Sequence, residues 1–168
     1  GFLRLCDISN GAIKATGNEG LSDQVSALQW INKHIHHYGG DKDNVTLFGE
    51  SAGAMSIACI IACPFAQGLF HKSILQSGAA HTFASSDKAN QVAKEFVRSA
   101  NDLGFSLNDF PTMTTNQLLS VQQHFLKRPD VYRQFGILPF KPVIDGKLLP
   151  IAPHIAVAKG CAKNITIL

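Results

Sequence analysis

NVTLFGESAGA, at residues 44–54, joins a β-prone run to a run of helical length. The β-branched and aromatic residues at its start favour a strand, and the small and apolar residues that follow as far as Ala62 favour a helix. Between them, Gly49, Ser51 and Gly53 form the pattern G-x-S-x-G. A strand, a tight turn and a helix in this order put the serine on a strained bend with its hydroxyl above the sheet. The stretch therefore predicts a nucleophile elbow, with Ser51 as the candidate nucleophile.

The residues around Ser51 are small, as such a turn requires. Strand and helix backbones nearly touch there, so positions two before and two after the serine must lack bulky side chains. Gly49, Ala52 and Gly53 meet this requirement. The pattern alone also occurs in ordinary glycine-rich turns, but the strand before it and the helix after it favour the catalytic interpretation.

The composition is that of a globular domain. Of the 168 residues, 45% are hydrophobic and 16% are charged, which allows one domain with a core and argues against disorder. The net charge of +3 is small and spread along the chain, so it does not indicate nucleic acid or an anionic membrane as a partner. No apolar run is long enough to span a membrane.

The four cysteines do not suggest a metal site. Cys59 and Cys63 are four residues apart, so they share a face of the predicted helix and read as small core residues. The sequence does not decide whether Cys6 and Cys161 form a disulfide. Metal sites use ligand pairs at closer spacing than these four residues offer, so no metal is predicted.

The order of predicted elements indicates a mostly parallel sheet with flanking helices. A helix that begins near Leu21, with Asn18 or Ser22 as its cap, precedes the first strand, and residues 72–76 form a second strand. Alternating helices and strands favour parallel pairing through crossover helices. Because ligands bind beyond the carboxyl ends of such strands, Ser51 and Ser77 are expected on one rim.

The second half of the chain departs from this alternation. Two helices are predicted, from Ser86 to Gly104 and from Thr114 to Leu126, with Pro129 as a stop. An extended stretch with a turn, a short helix and a final buried strand follow, at residues 139–147, 153–159 and 165–168. We therefore divide the chain into a sheet core with the elbow (about 1–80), a helical excursion (about 84–130) and a return to the sheet (about 139–168).

Several runs resemble the type-B carboxylesterase/lipase family, which includes the cholinesterases. They are GNEGLSDQ at 17–24, ALQWI at 27–31, FGESAG at 48–53, GLFHKSILQSG at 68–78, PVIDG at 142–146 and the closing strand. These runs come in the family's order and at its spacing, whereas residues 79–138 carry little resemblance. The sequence is identified as a member of this family.

The resemblance implies a partial α/β-hydrolase fold and hydrolysis of carboxylic esters through an acyl-enzyme. Ser51 is then the nucleophile, and the backbone N–H of Ala52 is one oxyanion donor. Glu50 corresponds to a buried carboxylate near the active site, or else is simply an acid at a helix N-terminus. Ser77 corresponds to a serine that supports the triad, or is a turn residue. Phe83 corresponds to an aromatic residue of the family's acyl pocket, or else it packs in the hydrophobic core.

Both ends of the sequence look cut, so the chain is interpreted as the central fragment of a single α/β-hydrolase domain. By the family's spacing, the triad acid and histidine follow Leu168 and the glycine-rich oxyanion loop precedes Gly1. The chain alone is therefore expected to be inactive. The seven histidines present match no catalytic position, and His34, His36 and His37 read as surface residues at a helix C-terminus rather than as metal ligands.

The expected partner is a small-molecule ester, and the reaction requires no metal or organic cofactor. One alternative is a non-catalytic, cholinesterase-like binding or adhesion domain, although such relatives typically lose the nucleophile. Another is a truncated, inactive product.

The lack of cysteines between Ala79 and Gly160 favours a cytoplasmic enzyme over a secreted one, because secreted cholinesterase-like members close a loop there with a disulfide. The sequons at Asn44 and Asn164 are discounted because each leads into a strand expected to be buried.

Overall fold

The computed structural model describes residues 1–168 and contains eleven helices and strands besides three short 3₁₀ helices. In chain order they are α1 (Glu19–His34), β1 (Thr46–Glu50), α2 (Ala52–Ile61), β2 (Lys72–Gln76), β3 (Ala84–Ser85), α3 (Ser86–Asp102), α4 (Thr115–Lys127), α5 (Pro129–Phe135), β4 (Val143–Ile144), α6 (Pro153–Ala158) and β5 (Thr166–Ile167). The 3₁₀ helices cover Ile35–Tyr38, Pro64–Ala66 and Leu107–Thr112. None of the helices has both the length and the apolar composition needed to cross a bilayer.

The main sheet has three parallel strands in the order β1-β2-β5. Phe48 of β1 lies beside Ile74 of β2, and Glu50 lies beside Gln76, so the two strands end at the same level. The crossover between them runs through α2, as the alternation of elements predicts. A second, two-stranded sheet pairs β3 with β4, also in parallel. The predicted parallel sheet is confirmed.

The core beneath the main sheet is formed mainly by α1 and α2. Leu21, Val25 and Leu28 are buried along one face of α1. Cys59 and Cys63 are buried in the same core, which confirms their interpretation as small core residues. Cys6 and Cys161 are both free thiols, so the disulfide left open between them does not form.

Asn18 precedes α1, but its side chain does not cap the helix. The amide instead reaches Val143, the first residue of β4: Asn18 Nδ2 donates to the Val143 carbonyl oxygen at 2.7 Å, and the Val143 N–H donates to Asn18 Oδ1 at 2.8 Å. The side chain thus pairs with a backbone as a strand would. Ser22, the other expected cap, lies inside the helix. The cap prediction is wrong because a partner 125 residues away satisfies the amide.

Helices α3, α4 and α5 surround a second apolar core. It contains Phe96, Phe110 and Phe125 together with Leu5 from the beginning of the chain. α4 begins as predicted, with a capping box between Thr114 and Gln117. The division of the chain into sheet core, excursion and return stays a prediction.

α5 was not expected from the sequence. The sequence predicts a stop at Pro129, which does follow the end of α4, but this residue also begins α5 because proline suits the first helical position. Arg128, between the two helices, donates to the carboxylates of Glu95 and Asp130 and, at 3.0 Å, to Ser99 Oγ. The guanidinium therefore ties α3 to the α4–α5 junction.

The final strand is exposed rather than buried. β5 is an edge strand, and Ile167 is 48% exposed. The prediction of a buried strand is not met within these 168 residues, because β5 pairs only with β2 and no further strand covers its other edge. Asn44, Thr46, Asn164 and Thr166 are likewise exposed, so burial is not a reason to discount either sequon.

Candidate active site at the strand–helix turn

Ser51 lies between the last residue of β1 and the first residue of α2. Its backbone has φ 49° and ψ −112°, a conformation that side-chain-bearing residues rarely adopt, and the residue is exposed. The sharp bend predicted from G-x-S-x-G is therefore present, with the serine on its outside. Strain of this kind costs about 1–3 kcal/mol and persists only where the surrounding structure enforces it.

Two backbone hydrogen bonds hold the turn. The N–H of Ser51 donates to the carbonyl oxygen of Gln76 at 2.8 Å, which extends the β1–β2 pairing past the end of β1. The N–H of Met55 donates to the carbonyl oxygen of Ser51 at 3.0 Å and closes the first turn of α2. Ser51 is thus fixed on one side by the sheet and on the other by the helix.

The two glycines of the pattern have different environments. A Cβ placed on Gly49 would lie 2.6 Å from the carbonyl carbon of Gly53 and 2.9 Å from the nitrogen of Ala54, so no side chain fits at position 49. A Cβ placed on Gly53 would meet nothing within 4 Å. Gly53 lines a cavity of about 260 Å³ that lies between α1, β1 and α2. The expected need for a small residue is correct at Gly49 and wrong at Gly53.

The N–H of Ala52 begins α2. The first N–H groups of a helix have no acceptor within the helix, and they carry the positive end of its dipole. An exposed hydroxyl beside such groups can attack a carbonyl carbon while the N–H holds the oxygen that becomes negative. This chemistry also needs a base to remove the hydroxyl proton.

Glu50 and Ser77 lie on the same rim as Ser51. Glu50 is beside Gln76 in the register, and Ser77 follows Gln76, so the shared rim predicted for the two serines is confirmed. Glu50 is exposed in these residues, where β1 is an edge strand, and its place as a buried carboxylate near the active site stays a prediction. Ser77 is also exposed and has φ 55°. No side-chain hydrogen bond joins Ser51, Glu50 and Ser77.

Phe83 is half-buried and lies outside both apolar cores. Its ring stacks on that of His154 of α6, with 5.6 Å between the ring centroids, and His81 lies 5.4 Å from the same imidazole. The core interpretation of Phe83 is therefore wrong. Its place in a substrate pocket stays a prediction.

None of the seven histidines hydrogen-bonds to Ser51. Of the three histidines expected at the surface, His36 and His37 are exposed in the 3₁₀ helix after α1, with 3.9 Å between their ring centroids, whereas His34, the last residue of α1, is half-buried. His71 Nδ1 accepts from the Val45 N–H at 3.4 Å, and His124 Nε2 lies 3.2 Å from Asp102 Oδ2. No group of three or more His, Cys, Asp or Glu side chains is arranged to hold a metal ion.

Sequence reasoning did not identify the part that residues 76–78 play in the turn. The carbonyl of Gln76 bonds to Ser51, and the backbone of Gly78 passes against Ser51 and α2. The only local signal for this part is the glycine two residues after the end of β2.

The comparisons with known proteins agree with the fold. A model of the carboxylesterase family matches residues 1–168. The chain is 37% identical over 170 residues to the para-nitrobenzyl esterase of Bacillus subtilis, a match that covers 100% of this chain and 33% of the relative. It is 33% identical over 174 residues to the acetylcholinesterase of Leptinotarsa decemlineata, covering 100% of this chain and 28% of the relative.

Solved structures give the same result. A thermophilic PNB esterase superposes with a TM-score of 0.84 at 37% identity, over 99% of this chain and 33% of that one. A carboxylesterase of Geobacillus stearothermophilus superposes with a TM-score of 0.83 at 34% identity, over 99% of this chain and 34% of that one. The chain spans about a third of the length of these relatives. From its sequence and its partial α/β-hydrolase fold, the chain belongs to the carboxylesterase family.

Proposed function

We propose that the full-length protein that contains these residues hydrolyses carboxylic esters, with Ser51 as the nucleophile. The observation that carries the proposal is the exposed serine in a strained conformation at the β1–α2 junction. The bonds to Gln76 and Met55 maintain that strain. Strained, exposed residues of this kind concentrate at functional sites, and the chain belongs to a family of carboxylic ester hydrolases.

The reaction proceeds in two steps. A base takes the proton of Ser51 Oγ while the oxygen attacks the ester carbonyl carbon, and the N–H of Ala52 binds the resulting oxyanion. The C–O bond to the alcohol breaks as the alcohol receives that proton, which leaves an acyl group on Ser51. Water, deprotonated by the same base, then attacks the acyl carbon and releases the acid, and the proton returns to Ser51 Oγ.

The base and the acid that orients it come from outside these residues in this proposal. The histidines here contact other groups, for example Asp102 and the Val45 N–H, and none hydrogen-bonds to Ser51. We therefore expect the 168-residue chain alone to lack esterase activity. Glu50 and Ser77 are proposed to support the site from the rim, and Phe83 to border the acyl group.

Hydrolysis of p-nitrophenyl acetate by the full-length protein tests the proposal. Ser51→Ala should lower kcat by an amount approaching the roughly 10⁶-fold loss that follows removal of the triad serine in a serine protease. Ser120→Ala removes an exposed hydroxyl from α4 and should leave kcat unchanged. Hydrolysis that survives Ser51→Ala would reject Ser51 as the nucleophile, and a wild type without activity would favour a non-catalytic binding domain.

The compartment is also a proposal. All four thiols are free, which supports a reducing, cytoplasmic environment over a secreted one.

A further inference from the structure

After β2 the chain passes directly over the Ser51 turn. A Cβ placed on Gly78 would lie 2.7 Å from the carbonyl oxygen of Ser51, 2.7 Å from the Cβ of Ala54 and 2.9 Å from the nitrogen of Met55. Non-bonded heavy atoms rest about 3.5–4.0 Å apart, so a side chain cannot fit without movement. Two of these three atoms belong to the backbone, where movement displaces the turn itself.

Those two backbone atoms are hydrogen-bonded to each other. The N–H of Met55 donates to the carbonyl oxygen of Ser51 at 3.0 Å, and this bond closes the first turn of α2. A methyl group at position 78 would press on both partners of the bond. The same turn of helix carries the N–H of Ala52, so pressure there moves the candidate oxyanion donor together with the serine.

The approach of Gly78 follows from the two residues before it. The carbonyl of Gln76 accepts the Ser51 N–H at 2.8 Å, and Ser77 has φ 55°, which directs the chain from the end of β2 over the bend. Gly78 itself has no positive φ, so the contact rather than the backbone conformation requires glycine there. Residues 76–78 thus hold Ser51 in place by one hydrogen bond, from Gln76, and one backbone-to-backbone contact, from Gly78.

We propose that Gly78 is a positioning residue for the ester hydrolysis: by lacking a side chain, it lets the segment after β2 fix the direction of the Ser51 hydroxyl and the Ala52 N–H. The inference rests on the function proposed above. Gly78 does not act on the substrate, and its effect reaches the reaction only through the geometry of the turn.

Gly78→Ala in the full-length protein should lower kcat by about 10- to 100-fold, because misplacing reacting groups by up to about 1 Å costs as much as 10²-fold. KM should stay within about twofold of the wild-type value, since Gly78 does not contact the substrate in this proposal. A merely structural role would instead lower the amount of folded enzyme and leave kcat per folded molecule unchanged.

Gly104→Ala is the matched control. Gly104 follows α3 and has φ +83°, and a Cβ there meets nothing within 4 Å. Alanine at this position introduces backbone strain of the order of 1 kcal/mol away from Ser51, so it should lower the melting temperature and leave kcat unchanged. The control separates loss of stability from loss of positioning.

Removing the Ala54 methyl group provides a second variant. In Gly78→Ala/Ala54→Gly the side-chain contact disappears, and the two backbone contacts remain. The loss of kcat caused by Gly78→Ala should be smaller in the Ala54→Gly background than in the wild type. A double-mutant cycle of the four proteins measures this difference. This pair also provides the comparison if Gly78→Ala does not fold.

The outcomes distinguish the inference from the function on which it rests. If wild type hydrolyses the ester through Ser51 and kcat falls in Gly78→Ala with KM preserved, the positioning role holds. If wild type is active and Gly78→Ala keeps its kcat per folded molecule, the positioning role is rejected while the esterase stands. If wild type is inactive, the proposed function itself fails.

Discussion

The amide nitrogen of Ser51 lies 2.8 Å from the carbonyl oxygen of Gln76 and donates a hydrogen bond to it. Since Glu50 already lies beside Gln76 in the parallel register, this bond carries the β1–β2 pairing one residue beyond the strand. The carbonyl of Ser51 bonds to Met55 of α2 on the other side. A residue held by both elements keeps a strained backbone that a free peptide would relax.

The two glycines that flank Ser51 should respond differently to alanine. Gly49→Ala should lower the free energy of unfolding by about 1–3 kcal/mol, because its Cβ would lie 2.6 Å from the Gly53 carbonyl carbon. Gly53→Ala makes the same chemical change where nothing lies within 4 Å of the new Cβ, and alanine favours helix by up to about 1 kcal/mol. Urea unfolding should show a loss only for Gly49→Ala, and equal losses would contradict the packing described.

Removing the Asn18 amide should be costly. Asn18 is 2% exposed, and its side chain bonds to both the N–H and the carbonyl of Val143, so Asn18→Ala leaves two buried backbone groups unpaired. We expect a loss of about 2–4 kcal/mol in the free energy of unfolding. Asn101→Ala, on the exposed side of α3, is the control and should stay within about 0.5 kcal/mol of wild type. A small effect for both variants would mean that water replaces the Asn18 amide.

Asp7 should contribute a pH-dependent increment of stability. Its carboxylate accepts from Asn90 Nδ2 at 2.8 Å and from the Arg4 guanidinium at 3.0 Å, and these hydrogen bonds lower the pKa of Asp7 from 3.8 to about 2. Because the folded pKa is the lower one, the contribution is present above about pH 4 and is lost as the pH falls through about 2. The side chain is 43% exposed, so screening limits the contribution to about 1 kcal/mol or less.

Comparing Asp7→Asn with wild type at pH 6 and pH 2 measures this increment. The difference in the free energy of unfolding should shrink towards pH 2, as the wild-type carboxyl gains its proton. Asp23→Asn removes a negative charge from an exposed position in α1 that makes no ion pair, and it is the control for net charge. An Asp7→Asn cost that does not change between the two pH values would contradict the assignment.

Local patterns were sufficient for the elements that carry the site. The strand at Lys72–Gln76 and the helix from Ala52 agree with the structure, because turn residues and apolar periodicity lie next to each other in the sequence. The bend at Ser51 was predictable for the same reason. Gly49 is needed because strand and helix meet within a few residues of each other.

Contacts between distant residues were not predictable in this way. Nothing near Asn18 in the sequence indicates Val143, and nothing near Ser51 indicates Gln76 or Gly78. The exposure of Glu50 likewise depends on which chain segments lie beside β1. These features follow from how the elements pack, so a single sequence read by local pattern does not contain them.

The most direct test of the account is covalent labelling of the full-length protein with a fluorophosphonate probe, followed by mass spectrometry of the peptide that contains Ser51. The account predicts a single adduct on Ser51 Oγ and none in Ser51→Ala. A label that persists in Ser51→Ala, an adduct on another serine, or a wild-type protein that stays unlabelled would contradict it.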